Sequence, residues 1–137
     1  MFVSFNVYYD KEYNCIVGKY SGTLNIDAVK QYASQTLKLS EEYGCKRSLI
    51  DLLEAEPRFS ITEIYNLPRV MLDIGIGSEW RRAILISGLT DDYYFYETVS
   101  VNRGLAVKMF TDKEKALKWL IPSRNCPKFR PNLPTQM

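Results

Sequence analysis

Histidine is absent from all 137 residues. Its absence excludes Ser-His-Asp and Cys-His catalysis, His-ligated metals, and the side chain best suited to general base work at neutral pH. Cysteine is scarce. Cys15, Cys45 and Cys126 are odd in number and have no C-x-x-C spacing, so neither a disulfide framework nor a zinc site is expected. Cys15, within a strand-like run, reads as a small core residue. No apolar run reaches membrane-spanning length, so no transmembrane segment is expected. The opening Met1-Phe2-Val3-Ser4-Phe5 lacks the basic and apolar regions of a signal peptide. Dinucleotide and P-loop fingerprints are missing too, since Gly75-Ile76-Gly77-Ser78 follows no strand and lacks a third glycine. These absences together describe a reduced, cytoplasmic, non-enzymatic protein with no implied cofactor or metal.

Apolar and aromatic residues are plentiful: 46% of the chain is hydrophobic and 13% aromatic, enough for one domain with its own core. The formal charge of +2 is unevenly placed. The segment 122–137 holds Arg124, Lys128 and Arg130, no acid and four prolines, and reads as an irregular basic tail. Without it the remaining body, residues 1–121, has a formal charge of −1, which argues against a nucleic-acid partner.

Phe2–Tyr9 and Tyr13–Tyr20 read as strands of a hairpin across the turn Asp10-Lys11-Glu12, and Ser21-Gly22 as the break after them. Asn25 or Thr23 then caps a helix carrying Ile26, Val29, Ala33 and Leu37 and closing at Gly44. Arg47–Leu53 has the apolar run of a strand covered on both faces, followed by a polar connection from Glu54 to Phe59. Ser60 and Glu63 form a capping box for a helix expected to break near Leu67 and restart at Pro68. Arg81–Ser87 is a further strand. Tyr93–Asn102 suits either a strand or a helix; Asp91 and Asp92 before it and Gly104 after it favour the helix. Leu105–Phe110 is a buried strand, and Thr111 with Glu114 forms a second capping box for the last helix, anchored by Trp119 and Leu120. The order is ββαβαβαβα: an α/β fold with a mostly parallel five-stranded sheet.

The ending Arg103-Gly104-Leu105-Ala106-Val107-Lys108-Met109-Phe110-Thr111-Asp112, continued by Ala116-Leu117 and Trp119-Leu120, resembles that of bacterial STAS-like, anti-sigma-factor-antagonist-like domains. The Gly22 break, Asp51 after an apolar strand and Arg82-Ala83 opening another add to the likeness, which runs from about Tyr13 to Leu120. It is nearest to the stand-alone subgroup grouped with the CRAL-TRIO lipid-binding fold. The resemblance implies a five-stranded, mostly parallel sheet and a non-enzymatic role in sensing or protein binding. In signalling members a Ser or Thr two residues beyond the third strand's Asp is phosphorylated. Here Leu52-Leu53 follow Asp51, so that site is missing, and Ser60 lies too far along to replace it.

The candidate partner or ligand surface comprises Asp51, Arg58, Ser60, Asp91, Tyr93, Tyr94 and Tyr96. Asp51, read at a strand end, either binds a ligand or accepts hydrogen bonds from a loop, with Arg58 or Arg82 as its charged partner. Within Tyr93-Tyr94-Phe95-Tyr96, Phe95 and one neighbour are expected to face the core and leave tyrosines at the surface. The main expectation is a protein partner. A small apolar ligand or lipid is the alternative, and a homodimer through the edge of the first strand is a further option.

Overall fold

The computed structural model describes residues 3–121; the basic tail expected at 122–137 lies outside the described residues. The chain runs β1 (Val3–Asp10), β2 (Cys15–Leu24), α1 (Ile26–Tyr43), β3 (Arg47–Pro57), α2 (Ile61–Ile74), β4 (Arg81–Leu85), α3 (Asp91–Asn102), β5 (Ala106–Phe110) and α4 (Lys113–Leu120). The strands form one sheet in the order β1-β2-β3-β4-β5. β1 pairs antiparallel with β2, and the other three pairings are parallel, as crossover helices require. This is the five-stranded α/β arrangement that the sequence implies.

Strand periodicity sorts the core into two sides. Tyr20, Ile50, Ile84 and Val107 pack with Ala28 and Tyr32 of α1 and with Tyr93 and Tyr96 of α3. Cys15, Leu49 and Ala83, at alternate positions, pack with Ala116 and Leu120 of α4. The helices α1, α2 and α3 therefore share one face of the sheet and α4 covers the other. Buried Trp80 and Met71 close the core between α2 and the foot of the sheet. Cys15 and Cys45 are buried free thiols, and burial chiefly pushes the Cys15 thiol up to about 12. At the β5 edge the backbone N–H of Met109 donates to Glu97 Oε2 at 2.7 Å, which occupies part of an otherwise open strand.

Four expected features differ in the structure, each for a physical reason. Ser21-Gly22 does not end β2, and Glu54–Pro57 is not a loop. The two strands continue side by side from Ser21↔Glu54 to Leu24↔Pro57, past a register shift that absorbs the irregularity. Pro68 does not break α2, because Ile64, Leu67, Pro68 and Met71 form one buried stripe that holds both halves against the core. The last helix is capped by Asp112, not Thr111. Its carboxylate accepts from the Glu114 and Lys115 amides at 2.8 and 3.4 Å and adds negative charge where the helix dipole favours it. Elsewhere the caps fall as read, with Asn25 opening α1, left-handed Gly44 closing it, and the Ser60–Glu63 box opening α2.

Gly18 of β2 leaves the space in which the Tyr32 ring lies, since a Cβ on Gly18 would overlap that ring. Tyr32 shares a 2.8 Å hydrogen bond with Ser48 Oγ and packs against Tyr20, ring centroids 5.1 Å apart. Burial is the main reason that both phenols resist ionisation, with pKa values raised above the ordinary range. Two outcomes follow from this cluster. Gly18→Ala should destabilise the fold by about 1–3 kcal/mol in urea denaturation, the usual cost of overpacking a core. An unfolded chain releases tyrosine protons from about pH 10, before the raised native groups do, so the stability they lend is intact below that pH and is lost as pH rises above it. Of the 10 tyrosines, at least two should ionise in an alkaline absorbance titration only together with loss of the circular dichroism signal.

Candidate functional site

The two arginines that open β4 point to opposite sides of the sheet, as the two-residue period of a strand demands. Arg81 turns toward α4, donates from Nε to the Trp119 carbonyl at 2.8 Å and lies 4.1 Å over the Trp119 ring. Arg82 turns toward α1, α2 and α3 and is only 7% exposed. Its register neighbours are Ser48 on β3 and Val107 on β5. From Nη1 it donates to the Tyr96 hydroxyl at 3.0 Å, its one hydrogen bond among the described residues.

Arg82 lines a cavity of about 270 Å³ between the sheet and the three helices on that face. Ile50, Leu52, Ile84 and Met109 give the cavity an apolar sheet floor, and Tyr20, Tyr32 and Tyr96 line it with Arg82. Val29, Ile64, Leu67 and Tyr93 bring in the helices. Phe59 before α2, and Thr90 and Asp92 at the start of α3, line it at the end where the strands finish. Thr90 is held there as the N-cap of α3, accepting from the Tyr93 amide at 3.2 Å. The connections β2-α1-β3, β3-α2-β4 and β4-α3-β5 all place their helix on one face. The cavity is therefore a space between layers rather than a crevice where the strand order reverses.

Among the described residues no carboxylate pairs with Arg82. The ion pairs among the described residues are Lys46–Glu79 at 3.5 Å and Arg58–Glu56 at 3.0 Å, both on the surface. Residues 1–2 and 122–137 contain no Asp or Glu. Burial works against the charged form, but Tyr96, Tyr32 and Tyr20 surround the group and hold its pKa above the ordinary arginine value. The guanidinium is a permanent cation in a cavity whose walls are largely aliphatic and aromatic, with Asp92 and Thr90 where the strands finish.

The sequence-predicted residues are divided among different places. Tyr93 and Tyr96 line the cavity, three apart on one side of α3. They pack on the core in place of the expected Phe95, which is only half-buried, while Tyr94 is 58% exposed. Arg58 and Ser60 flank Phe59, and Asp91 sits between Thr90 and Asp92, beside the cavity without lining it. Ser60 is occupied in its capping box, and Arg58 pairs with exposed Glu56. Asp51 stands apart. It lies inside β3, in phase with Leu49 on the α4 side, and its Oδ1 accepts from the Leu53 amide at 2.9 Å. That bond falls where β3 carries one residue more than β2, so Asp51 supports a bulge, and neither Arg58 nor Arg82 is its partner. As a site residue Arg82 enters the sequence reading as a mate for Asp51. The overlooked signal was a cation in phase with Ile84 and Ile86, on a face that had to be buried.

Among the described residues no group of His, Cys, Asp or Glu could hold a metal ion, and no helix is long and apolar enough to cross a membrane. No protein-family model and no curated protein matches the sequence. Solved structures do. One is an uncharacterized DUF3478-family protein with a SpoIIAA-like fold from Shewanella loihica PV-4. It is 23% identical, the match covers 86% of this chain and 93% of that one, and the TM-score is 0.56. Another is an anti-sigma factor antagonist from Mycobacterium paratuberculosis, 15% identical over the same shares of the two chains, with a TM-score of 0.59. The sheet order, the helix placement and these two likenesses give the chain the STAS-like fold of SpoIIAA and the anti-sigma factor antagonists.

Proposed function

We propose that this protein is a non-enzymatic binding module whose internal chamber receives a small, largely apolar ligand. The observation that carries the reading is the cavity itself: about 270 Å³, walled by aliphatic and aromatic side chains from the sheet and three helices. Pockets for small molecules have this character, apolar walls with a few placed polar groups. The missing histidine and the lack of a paired acid and base in the chamber favour binding over catalysis.

A protein partner, the main expectation from the sequence, is the second reading, supported by the surface beside the chamber. Ile61 and Tyr65 at the start of α2, Leu89 before α3 and Tyr94 within it are 67%, 51%, 58% and 58% exposed, a high share for large apolar side chains. The fold shared with a protein named as an anti-sigma factor antagonist fits a partner-binding role, without the phosphorylatable residue after Asp51. Arg58, Ser60, Asp91 and Tyr94 would belong to that contact, next to the chamber occupied by the ligand.

Naphthalene, a neutral probe with ten carbons, should bind saturably at one site per chain and raise the melting temperature with its concentration. Ile84→Trp, which fills the floor, should abolish that binding while keeping the circular dichroism spectrum. An absence of saturable binding to the native chain would remove the ligand reading. For the surface, a protein co-purifying from the native cells should be lost from the Arg58→Ala, Tyr94→Ala double variant. Full retention would exclude the assigned contact.

A further inference from the structure

We infer that the chamber's ligand is an anion of single charge, a monocarboxylate of about ten non-hydrogen atoms, with its carboxylate seated on Arg82. This rests on the reading of the chamber as a ligand site and identifies the chemical class that the site selects. Arg82 is 93% withdrawn from solvent, lines the cavity and has no carboxylate partner among the described residues. A guanidinium offers five N–H donors. One is taken by Tyr96, and the remainder have no protein acceptor among the described residues. Buried charges in proteins are normally paired, and an unpaired one is costly to keep in an apolar surrounding. A bound anion supplies the missing partner, and the planar fork of Arg suits a carboxylate with two parallel hydrogen bonds.

The phenols add to this selection. The Tyr20 hydroxyl has no hydrogen-bond partner among the described residues, although its ring is only 3% exposed and lines the same cavity. Tyr20 is thus a second donor for a carboxylate oxygen. A single cation balances a single negative charge, whereas a phosphate monoester carries nearly two and would leave the excess buried. The one carboxylate lining the cavity, Asp92, is exposed in the first turn of α3 and makes no bond to Arg82. Tyr96, which does bond Arg82, is about one helical turn deeper, or about 5.4 Å along the axis.

Size and direction complete the assignment. A cavity of about 150 Å³ accommodates benzene, so one of about 270 Å³ takes roughly ten or eleven non-hydrogen atoms. That admits a medium-chain or aryl carboxylic acid and is too small for a two-chain lipid. Arg82 is the second residue of β4, whereas Phe59 and Thr90 lie past the ends of their strands. The acid group therefore sits deep, and the apolar body runs along Ile84 and Leu52 toward Phe59.

The test is calorimetric titration of the full chain at neutral pH with octanoate, octan-1-ol, octylamine and octyl phosphate, with naphthalene as the neutral control. Octanoate should bind about tenfold or more tightly than octan-1-ol, the worth of a charge-assisted contact, and octylamine most weakly. Arg82→Leu should reverse the order of octanoate and octan-1-ol. Tyr96→Phe, which removes only the hydroxyl holding Nη1, should weaken octanoate and spare octan-1-ol, so the assignment does not depend on one variant's folding. If naphthalene binds but octan-1-ol equals octanoate, or octyl phosphate exceeds it, the carboxylate assignment is overturned and the chamber reading stands. If neither naphthalene nor any octyl compound binds, both fall.

Discussion

Helices cover both faces of the central strands, so each residue there must suit one enclosed side or the other. Leu49 and Ala83 meet α4, while Ile50 and Ile84 meet the opposite helical layer. A shift of one residue in a strand would exchange that strand's two sets, and in β4 it would place Arg81, now stacked on Trp119, in the cavity. Register is therefore tightly fixed. Against that constraint Arg82 is the conspicuous exception: a permanent charge at a position where its neighbours along the same face are isoleucines. The fold tolerates it because three tyrosines and a cavity surround the guanidinium in place of close-packed hydrocarbon.

The bulge in β3 is the second structural decision. Once β4 ends opposite Asp51, β3 continues with β2 as its one partner strand, and the added residue changes which side chains face inward. Before the bulge Leu52 is buried; after it Ala55 and Pro57 are half-buried, while Glu54 and Glu56 point to solvent. Asp51 holds this change in place by accepting the Leu53 amide. A carboxylate that looks functional at the end of an apolar run is thus explained by backbone geometry.

The site is less legible in the sequence than the fold. Composition singles out Tyr93 and Tyr96, and both line the chamber. The sequence reading puts Phe95 and one neighbour on the core side of the helix. The helix instead turns Tyr93, Tyr96, Val99 and Ser100 inward, and the chamber accepts the polar ends of the tyrosines. Arg58, Ser60 and Asp91 were drawn in by the loops they occupy, and each is beside the chamber but engaged at the surface or in a helix terminus.

Local chemistry determined most of the architecture. The Asn25 cap, the Ser60–Glu63 box, the left-handed Gly44 and the alternating strands are set by residues within a few positions of one another, so the order ββαβαβαβα could be read directly. Tertiary structure decided the rest. The unbroken α2 needed the packing of Ile64 and Met71 on either side of Pro68, and the close fit of Gly18 and Tyr32 needed α1 laid across β2. Arg82 is an unpaired charge in the cavity because β2, α1, β4 and α3 converge there with Asp92 as their one carboxylate, exposed in the first turn of α3 and unbonded to the guanidinium. A sequence shows where its charges are along the chain, and only the folded chain determines which of them are left without a partner.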